Sequence, residues 1–454
     1  MITEDHLWLM LWLFIWLMVV HLVVRNQWNQ KRASAGLPLI YLLSLSMIHW
    51  FGALIYAFPW YIPTSAYLMS QDVSIAHVLA GFHQSVYGVI GFGIGSTLLA
   101  PWVLKELKPA WLSEVSRPPD LKLPKTYISI GLFICVAIAP ILLGVPGLSA
   151  ITTSGVSLFI VGLCLACWKS WYVGDSKAFL TWLILACSMP LITVLTLGFI
   201  GYGAVASLVV LIFVFNFYRP RWKVVITGLL LLVLGLSVFV NYMRDRVEIR
   251  ATVWGGQSGQ TRIERLWQTV TTFELFDPFK QEHLEAIDAR LNQNTLVGQT
   301  VNHISAGFVD YAHGGTLEQA AIAAIPRLLW PDKPVRAGSP EIVSRYTGIE
   351  FADRTSVGVG QVMEFYINFG SIGVFLGFLV YGTLLRIIDI SAGQKLINGN
   401  WSGFASWFLP GLGLIQPGGS LVEVVASTSA SVVLVYFLNK FYQSKTKPGQ
   451  VLSH

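Results

Sequence analysis

The sequence predicts an all-α polytopic membrane protein, and three observations lead to that fold class. Apolar residues make up 54% and charged residues 12% of the 454-residue chain, whereas an ordinary soluble domain carries roughly 25% charged residues. The apolar residues form runs close to the ~20 residues that a membrane-crossing helix needs. Lysine and arginine gather in alternate connections between those runs, as they do in membrane proteins of fixed orientation.

The apolar runs predict about eleven transmembrane helices. Gly198 and Gly201 divide one long apolar run into two spans. Pro410 favours a broken or re-entrant helix in the penultimate span. The predicted spans are 7–24, 38–58, 79–101, 127–147, 151–168, 178–196, 199–217, 224–241, 363–387, 402–416 and 421–438.

The charge between the spans predicts their orientation. The short connections on one side contain no lysine or arginine, whereas the alternate connections carry clusters of both, which marks the latter as cytoplasmic. This pattern places the N-terminus outside and the C-terminus in the cytoplasm. It divides the chain into eight spans at 1–241, a large extracytoplasmic and partly helical loop at 242–362, three spans at 363–442 and a cytoplasmic tail at 443–454.

The long loop is selectively rich in arginine. It holds ten of the chain's 16 arginines but only two of its 14 lysines. Arginine presents a permanently charged planar fork that binds phosphate or carboxylate oxygens in pairs, whereas lysine is a mobile point charge. We therefore expect the loop to bind an anionic ligand. The candidate binding residues are Arg244, Arg265, Arg290, Lys333, Arg336 and Arg345.

Part of this loop is predicted to be helical, with a rigid motif near its centre. Apolar residues recur at helical spacing in 262–270, 283–291 and 316–325, which predicts amphipathic helices on the outer membrane surface. The motif IPRLLWPDKP at 325–334 follows, and its prolines restrict the backbone around Arg327. Such rigidity suits a catalytic site that orients a charged ligand. The alternative is a helix stop followed by a tight turn with a solvated Asp and Lys.

Four residues, three in the loop and one at the start of the ninth span, are candidates for accepting a proton. Glu364 lies at the mouth of the ninth span, where partial removal from water would raise its proton affinity. It could equally cap a packed helix or pair with a loop arginine. His313 is the alternative base, as are His283 and His303, because imidazole accepts protons near neutral pH. The spacing of these histidines fits no zinc site, so we expect no metal.

The spans themselves contain little that indicates chemistry. Few ionisable groups lie deep within them, which weakens the case for a proton-driven transporter. All four cysteines fall within apolar runs and are interpreted as small structural residues. Gly88, Gly91 and Gly95 recur at helical spacing in the third span. This spacing indicates a close helix contact, with a smooth wall for a lipid chain as the alternative.

Nucleotide and nucleic-acid chemistry are disfavoured. No phosphate-cradling glycine loop of the Walker kind and no nucleophile elbow is present. The formal net charge of +6 comes largely from lysines in short connections, where they orient the protein in the bilayer. An anion bound by the loop arginines would lie outside the membrane, where the obvious diphosphates are those of lipid carriers.

Two stretches of the chain resemble the O-antigen or oligosaccharide repeat-unit polymerases of the Wzy type. They are the motif IPRLLWPDKP at 325–334 and EFYINFGSIGV at 364–374, which leads into a span. The many-span layout with one dominant extracytoplasmic loop late in the chain resembles the same family. The resemblance indicates a class of enzyme and does not identify the sugar.

The resemblance implies a metal-independent, cofactor-free membrane glycosyltransferase with a GT-C-like fold. Such an enzyme moves a growing glycan from undecaprenyl diphosphate to the terminal sugar of a new lipid-linked repeat unit. Arg327 and other fixed guanidinium groups would stabilise the charge that develops on the diphosphate. Glu364 or His313 would accept the acceptor's proton. Tyr366 would stack against a sugar, or anchor the protein at the membrane interface.

The same resemblance implies a setting and partners. The enzyme would lie in the bacterial inner membrane, with the bilayer, a flippase and a chain-length regulator as partners and O-antigen or a related polysaccharide as product. Three other classes remain open. An O-antigen ligase needs the same arginine chemistry, a transporter of lipid-linked sugars would line a route through the bilayer with charged residues, and a non-enzymatic assembly subunit would need neither.

Overall fold

The computed structural model describes residues 3–29, 33–112, 116–138, 149–218, 223–325, 330, 333, 338–351 and 357–445. Every regular element within these ranges is helical, which confirms the predicted all-α class. The helices of the first half are α1 (Glu4–Asn29), α2 (Leu37–Ile48), α3 (Trp50–Tyr56), α4 (Ala66–Met69), α5 (Ile75–Ile94), α6 (Ala100–Leu107), α7 (Leu123–Phe133), α8 (Ser149–Val173), α9 (Ser176–Cys187), α10 (Met189–Leu197) and α11 (Ile200–Tyr218). Those of the second half are α12 (Lys223–Trp254), α13 (Gly259–Thr271), α14 (Gln281–Leu291), α15 (Asn294–Ser305), α16 (Gly315–Ala323), α17 (Ser339–Thr347), α18 (Gln361–Ile397), α19 (Trp401–Gly413) and α20 (Leu421–Lys445).

Eight helical segments of the described ranges are long and apolar enough to cross a membrane. Helices α9 and α10 are bent relative to each other by 41°. If the pair forms one broken span, the number of candidate spans is nine. This organisation is consistent with a polytopic membrane protein. The eight segments are Glu4–Asn29, Leu37–Tyr56, Ile75–Leu107, Thr153–Val173, Ile200–Tyr218, Gly228–Trp254, Gln361–Ile397 and Leu421–Phe441.

The other three predicted spans correspond to shorter or bent helices. The expected span 178–196 is the bent pair, because a new helix begins at Met189, directly after Ser188, with Pro190 in its first turn. The expected span 127–147 is represented by the helical segment Leu123–Ile138, after which the described residues stop. The expected span 402–416 is α19, whose 13 residues extend only about 20 Å, less than the ~30 Å hydrocarbon core.

Helix α18 is two helices joined at a sharp break. Phe369 and Gly370 leave the helical conformation, and Gly370 adopts φ 62° and ψ −153°, a combination essentially restricted to glycine. We call residues 361–368 the short arm and residues 371–397 the long arm. The Phe365 ring lies 5.6 Å from that of Phe378, so the short arm folds back along the long arm. The break explains how a 37-residue element fits beside spans of ordinary length.

The predicted close packing of the third span is confirmed. A Cβ atom at Gly91 or Gly95 would collide with a backbone carbonyl of the long arm, and one at Gly88 would press on the Phe378 ring. The small residues therefore let α5, and the π-helical turn Gly95–Leu99 that follows it, approach the long arm closely. This contact fixes the position of α18 within the bundle.

Helix α15 belongs to the predicted loop but packs inside the bundle. Its first residue, Asn294, is fully buried and its amide oxygen lies 2.8 Å from His49 Nδ1. The Gln293 N–H donates to the Ile48 carbonyl, 2.9 Å away, at the break between α2 and α3. Gly81 and Gly298 bring α5 and α15 into backbone contact. The middle of the loop is therefore part of the core, and it holds the preceding helix α14 at a fixed place.

Candidate functional site

A cavity of about 500 Å³ lies where the C-terminal end of α12, the segment 274–280 and helix α14 meet. Its volume is within the range of small-ligand sites, which is ~300–1,000 Å³. Val240 and Met243 give it an apolar side, and most of its other lining residues are polar or charged. The charged and imidazole-bearing lining residues are Arg244, Arg246, Glu274, Lys280, Glu282, His283, Glu285 and Arg290.

Helix α14 forms one wall of the cavity because its two faces differ. Leu284, Ile287 and Asp288 are buried on the face that packs against α3, whereas Ala286 and Ala289 line the cavity. An apolar stripe at this spacing is what directs an amphipathic helix onto a core. The two small alanines leave open space between the longer charged side chains of the same face.

Asp288 fastens α14 to the bundle. Its carboxylate accepts hydrogen bonds of 2.6 Å from the hydroxyls of Tyr56 and Tyr61 and one of 2.7 Å from Asn292. Burial raises the pKa of Asp288, although these three donors favour its ionised form. A buried polar group with this many partners fixes the helix in rotation as well as position.

The second wall is the C-terminal part of α12, which continues to Trp254, beyond the span expected at 224–241. The Asn241 side chain donates to the Glu274 carbonyl at 2.7 Å and accepts from the Glu274 N–H at 3.1 Å. Ser237 accepts from the Phe276 N–H at 2.9 Å. These bonds satisfy the backbone of the segment 274–276 and hold it beside α12.

Two of the predicted binding arginines form ion pairs within the protein. Arg244 donates to the Thr272 carbonyl at 2.9 Å and to the Thr272 hydroxyl at 2.7 Å, and it pairs with Asp245 at 3.0 Å. Arg265 pairs with Glu248 at 2.5 Å and lies outside the cavity. Arg244 lines the cavity, but both side chains act as ties between α12 and the chain that follows it.

Arg246 and Arg290 differ from these two arginines. Both line the cavity and repel each other, and neither forms an ion pair with any carboxylate in the described part of the chain. Among the described residues, Arg246 donates only to the Met243 sulfur, at 3.8 Å. Two neighbouring guanidinium groups that form no ion pair favour binding of an anion that both can contact. Arg290 is among the predicted binding residues, whereas sequence reasoning missed Arg246.

Some of the acidic side chains of the cavity pair with basic side chains of the same cavity. Glu274 pairs with Lys280 at 2.5 Å and lies 3.4 Å from His283 Nε2. His283 Nδ1 accepts from the Asp277 N–H at 3.1 Å, so the hydrogen of the neutral ring is assigned to Nε2. Nδ1 is thus engaged by the backbone and Nε2 lies beside the Glu274 carboxylate, which disfavours His283 as the alternative base.

Glu364 lies apart from the cavity, in a buried cluster at the start of α20. Its side chain is fully buried, and Oε2 accepts from the Leu421 N–H at 2.6 Å. This places a carboxylate at a helix N-terminus, where it is favoured by the helix dipole. Oε1 accepts no hydrogen bond from the described residues. Of the two structural alternatives considered for Glu364, the geometry supports the helix cap.

His313 and Tyr366 lie in the same region as Glu364. The Gly314 N–H donates to the Asn368 side chain at 2.9 Å, so the loop that carries His313 is attached to the short arm. His313 is exposed and has a positive φ of 46°. Its neighbour Tyr311 lies 6.2 Å, ring to ring, from the buried Tyr366. The three residues are thus brought together, but none of them lines the cavity.

The remaining predicted residues are scattered. Lys333 donates to the Ala323 and Ile325 carbonyls, at 3.2 and 2.9 Å, and so closes the C-terminal end of α16. Arg345 is exposed on α17 and lies 5.6 Å from the Tyr346 ring. Arg327 and Arg336 lie outside the described residues. Within the described ranges, no group of three or more His, Cys, Asp or Glu side chains is arranged to hold a metal ion.

The chain was compared with protein families, curated proteins and solved structures. No curated protein and no solved structure matches it. Residues 120–446 match the model of a family described as a domain of unknown function, DUF8712. The match extends from α7 to α20 and includes the cavity walls formed by α12 and α14. Because this region is well over half of its length, the chain belongs to the DUF8712 family.

Proposed function

We propose that the protein is a membrane glycosyltransferase that polymerises lipid-linked oligosaccharide repeat units. It would transfer the growing glycan from undecaprenyl diphosphate to the terminal sugar of a new lipid-linked unit, during synthesis of O-antigen or a related surface polysaccharide. The observation that carries the proposal is the cavity in which Arg246 and Arg290 have no carboxylate partner among the residues that the structure describes. Arg327 and Arg336 remain candidates on sequence grounds.

The chemistry of the reaction matches this arrangement. Cleavage of the bond between the sugar and the diphosphate leaves negative charge on a diphosphate oxygen. Guanidinium groups already fixed in place stabilise that charge most strongly as it develops in the transition state. A cavity of about 500 Å³ has room for a diphosphate and an adjoining sugar.

The surroundings of the cavity suit a lipid carrier. Helix α12 exposes an uninterrupted apolar run from Leu229 to Leu234, one turn and a half before the cavity begins at Val240. A polyisoprenoid chain would lie along this surface within the bilayer while its diphosphate enters the cavity. The carrier would then need no route through the protein interior.

The proposal includes a topology and a setting. The cavity would face the extracytoplasmic side of the bacterial inner membrane, with the N-terminus on the same side and the C-terminus in the cytoplasm. Counting α7 and α19 and the bent pair with the other spans gives the eleven of the sequence prediction, arranged as a GT-C-like bundle. The enzyme would act without a cofactor, beside a flippase and a chain-length regulator.

The test is lengthening of lipid-linked repeat units by purified protein in vesicles. We expect the wild type to produce longer lipid-linked glycan, and Arg290→Ala to reduce the rate about 100-fold, as removal of one oxyanion-stabilising donor does in other enzymes. Arg25→Ala, which removes an exposed arginine on α1, is the matched control and should retain wild-type activity. Equal activity of Arg290→Ala and Arg25→Ala would remove the cavity from the mechanism.

The alternatives have their own outcomes in the same system. Transfer of finished glycan to a different lipid acceptor, without lengthening, would identify a ligase. Movement of the lipid-linked unit across the vesicle membrane without any change in its length would identify a transporter. In cells, loss of a polymerase leaves surface glycan capped by a single repeat, whereas loss of a ligase leaves none attached.

A further inference from the structure

Glu285 is held in the cavity wall through one of its two carboxylate oxygens. Oε1 accepts from the Thr64 N–H and the Thr64 hydroxyl, both at 2.7 Å, and from the Ser65 N–H at 3.0 Å. Gln281 adds a weaker contact at 3.4 Å. All of these donors converge on the same oxygen atom. The carboxylate group is therefore anchored on one side only.

The other oxygen keeps its hydrogen-bonding capacity. Oε2 of Glu285 accepts no hydrogen bond from the described residues. A buried oxygen without a partner would be one of the buried, unpartnered polar atoms of these residues, and Oε2 is not one of them. Oε2 is therefore accessible, in a side chain that lines the cavity. A fixed carboxylate with one accessible oxygen is placed to receive a proton from a group that enters the cavity.

Glu285 differs from the other two acids of the cavity. Glu274 is paired with Lys280, and Glu282 is largely exposed with Lys280 3.4 Å away. Glu285 has no cation partner among the described residues. Burial acts to raise the pKa of Glu285, but the hydrogen bonds from Thr64 and Ser65 outweigh it and leave the pKa below its ordinary value. The group is thus ionised at neutral pH.

The position of Glu285 relative to Arg290 suits a displacement reaction. Both residues line the cavity from α14, with Ala286 and Ala289 between them. Five residues along a helix correspond to a rise of about 7.5 Å. The alanines provide the space in which a sugar can lie between the carboxylate and the guanidinium.

We propose that Glu285 is the catalytic residue that accepts the proton of the attacking sugar hydroxyl, an inference that rests on the proposed function. The hydroxyl oxygen forms a bond to the anomeric carbon of the donor, while the bond from that carbon to the diphosphate oxygen breaks. The electron pair of the broken bond leaves with the diphosphate, which Arg246 and Arg290 hold. The hydroxyl proton moves to Glu285 Oε2 and is later released to water.

Glu285→Gln tests this role with little change in shape. The amide oxygen can replace Oε1 as the acceptor for Thr64 and Ser65, whereas the amide nitrogen replaces the proton-accepting Oε2. In vesicles with lipid-linked repeat units, we expect the rate of lengthening to fall at least 100-fold, with binding of the lipid-linked unit retained. Glu264→Gln, at an exposed position on α13 outside the cavity, should retain the wild-type rate.

A second variant separates proton transfer from anchoring. Glu285→Ala removes both functions, and added formate supplies only a small carboxylate. Restoration of lengthening by formate supports the proposal, and failure of formate to restore it assigns Glu285 to anchoring and overturns the proposal. Activity of Glu285→Gln within threefold of the Glu264→Gln control also overturns it and leaves the proposed function intact. A wild-type protein that lengthens no glycan overturns both.

Discussion

The cavity and the cluster around Glu364 contain the same kinds of residue but use them differently. In the cluster, Glu364 caps α20 and Asn368 bonds to both Gly314 and Thr316, at 2.9 and 2.7 Å. In the cavity, Arg246 and Arg290 have no carboxylate partner in the described chain. A group that is buried and bonded to the backbone inside the protein holds the fold together, whereas a charged group that lines a cavity without an ion-pair partner is available to a ligand.

The largest expected effect comes from removing both free cations of the cavity. We expect Arg246→Ala/Arg290→Ala to slow the lengthening of lipid-linked glycan by at least ~1,000-fold, because each donor to a developing oxyanion contributes about 10²–10³-fold. Arg290→Lys should also be defective, since lysine lacks the paired hydrogen bonds of the guanidinium fork. The rate in vesicles is the measurement. A double variant with more than a tenth of the wild-type rate would contradict the assignment of the cavity as the diphosphate site.

A smaller effect on the rate of lengthening is expected from substitution of Arg244, the arginine of the same cavity that is bonded within the protein. Arg244→Ala removes hydrogen bonds to Thr272 and the pair with Asp245, so it should lower the free energy of unfolding by about 1–2 kcal/mol. The rate per folded molecule should change less than tenfold. Thermal unfolding in detergent and the vesicle assay measure the two effects. A loss of rate as large as that of Arg290→Ala would show that Arg244 also contacts the substrate.

Substitutions in the cluster around Glu364 should change the stability of the protein and not the rate of glycan lengthening. Glu364→Ala removes the acceptor for the Leu421 N–H, and loss of such a helix cap costs about 0.5–2 kcal/mol. Glu364→Gln keeps an oxygen at that position and should retain most of the stability and the rate of lengthening. If the Gln variant instead folds normally but loses activity, Glu364 is the proton acceptor, and the contrast between the two regions fails.

The sequence was sufficient for the helical class and for the apolar runs, because hydropathy and span length are local properties. It could not show that α12 continues to Trp254, because the polar residues after 241 are typical of a loop. It could not show that α18 breaks at Gly370, because the apolar run continues through the break. The sequence identified Arg290 as a candidate binding residue because it is one of the arginines of the long loop. Glu285 was missed because its anchors, Thr64 and Ser65, are more than 200 residues away in the chain.

The smallest expected effect is a pH dependence of stability, which comes from Asp288, the residue that attaches α14 to the bundle. Burial raises the pKa of Asp288 above the ordinary value of 3.8, so the folded protein binds this proton more tightly than the unfolded chain does. Stability from this group is therefore present below the ordinary pKa and is lost as the pH rises through the interval up to the raised value. Asp288→Asn removes the titration, so the difference in melting temperature between wild type and variant should shift in favour of the variant as the pH rises from about 4 toward neutrality. Glu264→Gln, at an exposed position, is the control and should show no such shift. A constant difference between the melting temperatures of wild type and Asp288→Asn across this range would mean that burial against the bundle does not raise the pKa of Asp288.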